Sequence, residues 1–110
     1  MNIGNVSKAS LSLNNNSYIK KDTLVNINSK GEIKLNGGSI TLDDNDIWAG
    51  NISIGDENTV GSGTLTIDGL TSNGGIFANG GTIDIISGRL TASAGDVIKE
   101  ATTVKIKDDA

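Results

Sequence analysis

Apolar and polar side chains alternate in short runs along most of the chain: LVNI at 24–27, EIKL at 32–35, SITL at 39–42, NISI at 51–54, TLTI at 64–67, TIDI at 82–85 and VKI at 104–106. Each run sets its apolar side chains on one face and its polar ones on the other, as a half-buried β-strand requires. Gly, Asn, Ser and Thr fill the intervals, and these are the residues of turns and strand ends. The pattern predicts an all-β fold of short strands with Asn-Gly and Gly-Gly turns. A β-sandwich, a barrel or a β-helical, fibre-like architecture all fit, with oligomerisation expected to complete it. One helical turn is expected, at DVIKEA (96–101), where Asp96 can cap it. The whole chain, 1–110, reads as one β-rich domain, with residues 1–17, rich in Asn and Ser, as a candidate extended arm.

One internal repeat is visible. EIKLNGGSITL (32–42) and GIFANGGTIDI (75–85) share an Asn-Gly-Gly corner and matched apolar positions 43 residues apart. The structural turn candidates are therefore Asn36, Gly37 and Gly38, and Asn79, Gly80 and Gly81. Two mechanisms fit. Type I′ hairpin turns would place Ile33 opposite Ile40 and Ile76 opposite Ile83. Solenoid corners would use Gly or Asn for positive φ and stack the next strand on a neighbouring coil. The spacings from Ile40 to Ile52, Ile52 to Leu65 and Leu65 to Ile83 are 12, 13 and 18 residues. That irregular pitch favours hairpins or irregular β-structure over regular coils.

Composition sharpens the function classes. Ile, Leu, Val and Phe make up 29 of 110 residues, enough to fold, and there is no Cys, Pro or His. Disulfides, thiolate metal sites and histidine general bases are thereby removed, and no Ser stands beside a plausible base, so the reading is not an enzyme and needs no cofactor. Residues 1–34 carry five Lys against Asp22 and Glu32, whereas 35–88 hold seven acids and no basic residue. Such an acidic middle repels phosphate, and three aromatics offer little for stacking bases, so no nucleic acid is expected. No run approaches a membrane span of ~20 apolar residues, and the start lacks a secretory apolar region. The expectation is a chain made in a cytoplasm, or a piece of something larger.

Two features remain as candidate sites. Asp43, Asp44 and Asp46 can offer oxygens to Ca²⁺, but counting Asp44 as the first position puts Ala49 and Gly55 where an EF-hand needs Gly and Glu. A solvated acidic turn is the alternative. Trp48 is a binding candidate, and Trp48 and Phe77 are also natural core anchors; Tyr18, beside Lys20 and Lys21, is expected to cover the core edge.

The run GTLTIDGLTSNGGIFANGGTIDIISGRLTASAGD (63–96) resembles the β-structured shafts of bacteriophage tail and head fibres, in which strands wind about a three-fold axis. It is also similar to the β-solenoid passenger repeats of bacterial autotransporter adhesins. Separately, SYIKKDTLVNINSKGEIKL (17–35) and SAGDVIKEATTVKIKDD (93–109) look like the turn-strand-turn segments of small β-barrels in phage capsid decoration proteins. The phage resemblance implies a non-enzymatic virion structural protein, a homotrimer contacting other virion proteins in a capsid decoration or a fibre. The adhesin resemblance implies a bacterial surface or glycan-binding module. The short chain, its initial Met and the absence of a signal lean towards the virion.

Overall fold

The computed structural model describes residues 1–91 and 97–107. The described residues wind through five coils. The first holds β1 (Asn2–Ile3), β2 (Ala9–Asn14) and β3 (Tyr18–Ile19), the second β4 (Asn26–Ile27), β5 (Gly31–Asn36) and β6 (Ser39–Asp43), and the third β7 (Ile47–Trp48), β8 (Asn51–Ile54) and β9 (Gly61–Thr71). The fourth holds β10 (Gly75–Ala78) and β11 (Gly80–Arg89), and the fifth β12 (Val97–Ile98) and β13 (Thr103–Ile106). Strands of successive coils stack into three parallel sheets, ordered β1-β4-β7, β2-β5-β8-β10-β12 and β3-β6-β9-β11-β13. The architecture is a β-solenoid.

Register explains the alternation. In the second sheet Leu11, Ile33, Ile52 and Ile76 stand in one column, and Leu13, Leu35, Ile54, Ala78 and Ile98 in the next. The third sheet stacks Ile19, Ile40, Leu65, Ile83 and Val104, with Leu42, Ile67, Ile85 and Ile106 beside them. These columns point inward and form one aliphatic core, closed in the first sheet by Ile3, Ile27 and Trp48. Parallel sheets are normally covered on both faces and read as continuous apolar runs. Here the three sheets share one interior and leave their outer faces in water, so the strands alternate.

The hairpin expectation is corrected. Among the described residues every strand ladder is parallel, and Asn36-Gly37 joins β5 to β6, which lie in different sheets. The 43-residue repeat is two coils: Ile33 and Ile76 share a column, with Ile52 between them. Uneven loops hid the pitch, since one coil takes 19 residues from Ile33 to Ile52 and the next takes 24 from Ile52 to Ile76. The corner glycines do carry the turn. Gly37 and Gly80 sit at φ +93° and +97°, and a Cβ on either would strike the preceding coil, at the Asn15 side chain and the Gly61 carbonyl respectively. Gly81 is also left-handed, whereas Asn36, Gly38 and Asn79 are not.

Residues 1–17 belong to the first coil and are not an arm: β2 pairs with β5 along its whole length. At the expected helical turn, Val97–Ile98 is a strand and the chain turns at residues 100–101; Asp96 lies outside the described residues. Asparagine ladders support the first coil, with Asn26 Nδ2 donating to Asn2 Oδ1 at 2.9 Å and Asn36 Nδ2 to Asn14 Oδ1 at 3.4 Å. The two ends differ. Ile3, Leu13 and Ile19 in the first coil are only 5–8% exposed, whereas Ile98, Val104 and Ile106, at equivalent inward positions in the last, are 43%, 41% and 65% exposed.

Ile40→Ala and Ile83→Ala, both at fully buried positions, are expected to lose about 2–5 kcal/mol each in urea unfolding followed by Trp48 fluorescence. Ile106→Ala, at the open end, should fall within about 0.5 kcal/mol of the parent. Gly37→Ala and Gly80→Ala should each lose about 1 kcal/mol or more in the same assay, and a neutral result at both would contradict the corner geometry.

Candidate functional site

The acidic turn is a staple of the fold. The Asp46 carboxylate accepts from the backbone N–H of Val25 at Oδ1 (2.8 Å) and of Asp43 at Oδ2 (2.9 Å), and Asp43 Oδ1 accepts from the N–H of Asn45 at 2.9 Å. Asp46 thereby ties the entry of the second coil to its exit. Asp43 and Asp46 are buried and Asp44 is exposed, and among the described residues no three acidic groups are placed to hold a metal ion. Burial is the main influence on Asp46 and pushes its carboxyl above the ordinary 3.8, outweighing the two backbone donors.

A second polar link runs up the outside of the third sheet. Lys21 Nζ lies 2.8 Å from Asp68 Oδ2, and Ser87 Oγ donates to Asp68 Oδ1 at 3.2 Å. The hydrogen bond from Lys21, then that from Ser87 and the lysine's charge, hold the Asp68 carboxyl below its usual range, and Asp68 raises Lys21 in return. This pair is exposed and contributes little to stability.

Trp48 is not a binding platform. Its side chain is 2% exposed and stacks over Ile27 in the first sheet, and residues 72–74 of the fourth coil close over it, with the Asn73 N–H donating to the Trp48 carbonyl at 3.2 Å. Gly74 lies so close that a Cβ there would come within 2.6 Å of the indole Nε1. Tyr18, expected at the core edge, instead stands 60% exposed under Lys20, whose Nζ lies 5.4 Å from the ring centre.

Phe77 takes the opposite position to the core role open to it. It is half-buried on the outer face of the second sheet, in the column Ser12, Lys34, Ser53, Phe77. That column floors a groove of about 610 Å³, rimmed by Asn14 and Asn36. The opposite wall is the loop from Gly55 to Val60, where Gly55 at φ +67° turns the chain outward after β8. Backbone bonds in both directions between Asp56 and Thr59, at 3.0 and 3.4 Å, close the loop, and the Asn58 N–H donates to Asp56 Oδ1 at 2.8 Å. Asn79, from the next coil, pins it: the buried Nδ2 donates to the carbonyls of Asp56 (2.7 Å) and Thr59 (3.4 Å). The groove is therefore preformed, with Glu32, Asp56 and Glu57 facing a single Lys34 that lies 3.4 Å from Glu32.

Comparison with protein-family models, curated proteins and solved structures returns no match. The outer face of the third sheet is another ordered surface, a column of Ser39, Thr64, Thr82 and Thr103 hydroxyls one rung apart. It is a face and not a cavity, so the groove is the better candidate site. Sequence reasoning missed it because the alternation marks Phe77 as a polar-face position only once the register to Ser53 is known. The legible signal was the GDENTV insertion between two strands, an acidic loop long enough to form a wall.

Asp46→Ala leaves the N–H groups of Val25 and Asp43 unpaired and is expected to cost about 2–6 kcal/mol in thermal or urea unfolding, while Asp46→Asn, retaining one acceptor oxygen, should cost less. The pH dependence has a definite sign. Because the folded protein holds the Asp46 proton to higher pH than the unfolded chain, this group's contribution to stability falls as pH rises from 3.8 through the raised folded value. Asp46→Asn should remove that fall. The opposite slope from Asp68, which adds stability as pH rises towards 3.8, should remain.

Proposed function

We propose that this chain is a non-enzymatic β-solenoid module of the surface-adhesin kind, whose outer faces make contacts. One observation carries the reading: the apolar face of every long strand is covered by the same chain's coils, so a single copy completes its own core along the sides. A fibre shaft wound about a three-fold axis needs neighbours to cover those faces. The polar, hydroxyl-rich and amide-rich outer columns then remain free for contact, and a preformed groove adds one concave site among them.

The second reading is a virion structural protein, a homotrimeric capsid decoration or fibre component bound to other virion proteins. It draws on the last coil, where Ile98, Val104 and Ile106 stand exposed in core register and offer a place for another unit to stack. End-to-end contact suits a fibre better than a free module.

Molar mass by light scattering at two concentrations separates the two. The module reading expects 11.3 kDa at both. A stable mass of three chains would overturn it in favour of the virion component.

A further inference from the structure

The geometry points to the groove on the outer face of the second sheet as a binding site for a neutral glycan, with Phe77 as its stacking platform; this rests on the surface-module reading above. The chemistry of the lining selects the ligand class. A sugar ring presents a C–H face, which packs on an aromatic, and an edge of hydroxyls that both donate and accept. Phe77 supplies the first surface, half-buried on the floor. Asn14, Asn36, Ser12 and Ser53 supply side chains that also both donate and accept. Lys34 adds donors, and the carboxylates of Asp56 and Glu57 add acceptors on the wall.

The same geometry argues against the other common ligands. Three carboxylates against one ammonium disfavour a phosphate, a sulfated chain or any other anion. A peptide that binds by strand addition needs a free sheet edge, and the groove floor offers one only at β2, three strands from Phe77, while the central floor strands β5 and β8 are already paired on their two sides. The floor residues belong to stacked strands and recur at the rung spacing of about 4.8 Å. An extended oligosaccharide lying across the strands would therefore meet a new polar group at each rung and the phenyl ring at the β10 end. The wall is held by Asn79 before any ligand arrives, so little ordering cost is added on binding.

The chain contains one Phe, so 4-fluorophenylalanine incorporation gives a single ¹⁹F resonance that reports this groove directly. Maltohexaose, cellohexaose, chitohexaose and mannohexaose should be titrated separately at millimolar concentration, with a sulfated hexasaccharide as the anionic comparison. At least one neutral hexasaccharide is expected to move the resonance saturably, and calorimetry with the same sugar should show affinity about tenfold or more weaker in Phe77→Ala. Asn79→Ala, which frees the wall, should weaken binding with the floor intact. Melting followed by Trp48 fluorescence verifies that each variant is folded, and Asn36→Ala at the rim serves if Asn79→Ala is not. A resonance unmoved by every neutral sugar, or moved only by the sulfated one, overturns the proposal. With a single-chain mass, that result removes the glycan site and leaves the module reading standing; a three-chain mass removes the module reading whatever the titration shows.

Discussion

The structure depends on the stacking of like aliphatic side chains on successive parallel rungs. Columns such as Ile19, Ile40, Leu65, Ile83 and Val104 place branched side chains of similar volume directly above one another, so each rung seals the core of the one below. A one-residue slip in any ladder would turn a whole set of Ile and Leu outward, and this penalty fixes the register. Polar positions follow from the same constraint. Once the inward columns are set, Ser12, Lys34, Ser53 and Phe77 have no choice but to share an outer column.

Polar groups inside the coil boundaries are used for closure. Asp46 satisfies two backbone donors where the second coil opens and closes, and Asn79 satisfies two carbonyls where a loop leaves the third. Both side chains are buried and both bridge neighbouring segments that no strand ladder joins. A solenoid needs such staples at its irregular points, because corners and loops interrupt the repeating backbone bonds. The acidic turn and the Asn-Gly-Gly corner thus serve the fold first. The outer columns and the groove walled by the pinned loop face solvent.

The first and last coils expose different amounts of the core. The first coil keeps Ile3, Leu13 and Ile19 almost covered and Leu11 partly so, while the last leaves Ile98, Val104 and Ile106 open. The chain covers its own core along the sheets, and Leu24, Ile47 and Val60 of the middle coils are exposed as well.

The alternating runs determined by themselves that the protein is all-β, and every one of the seven contributes to a strand, because inward-outward alternation is a property of the local backbone. The glycine corners at 37 and 80 were equally legible, since positive φ is a local demand that few other residues meet. Which strands pair was decided by the tertiary structure alone. The same EIKLNGGSITL segment satisfies hairpin parity and solenoid parity, and coils of 19 and 24 residues blur the period that would have separated them. The places of the two large aromatics follow the same logic. Trp48 is covered and Phe77 is at the surface because of what lies on the adjacent coil, Gly74 over the indole and Ser53 beside the phenyl ring. Neighbours that distant in sequence leave no mark on the local pattern, so the site became visible only when the coils were stacked.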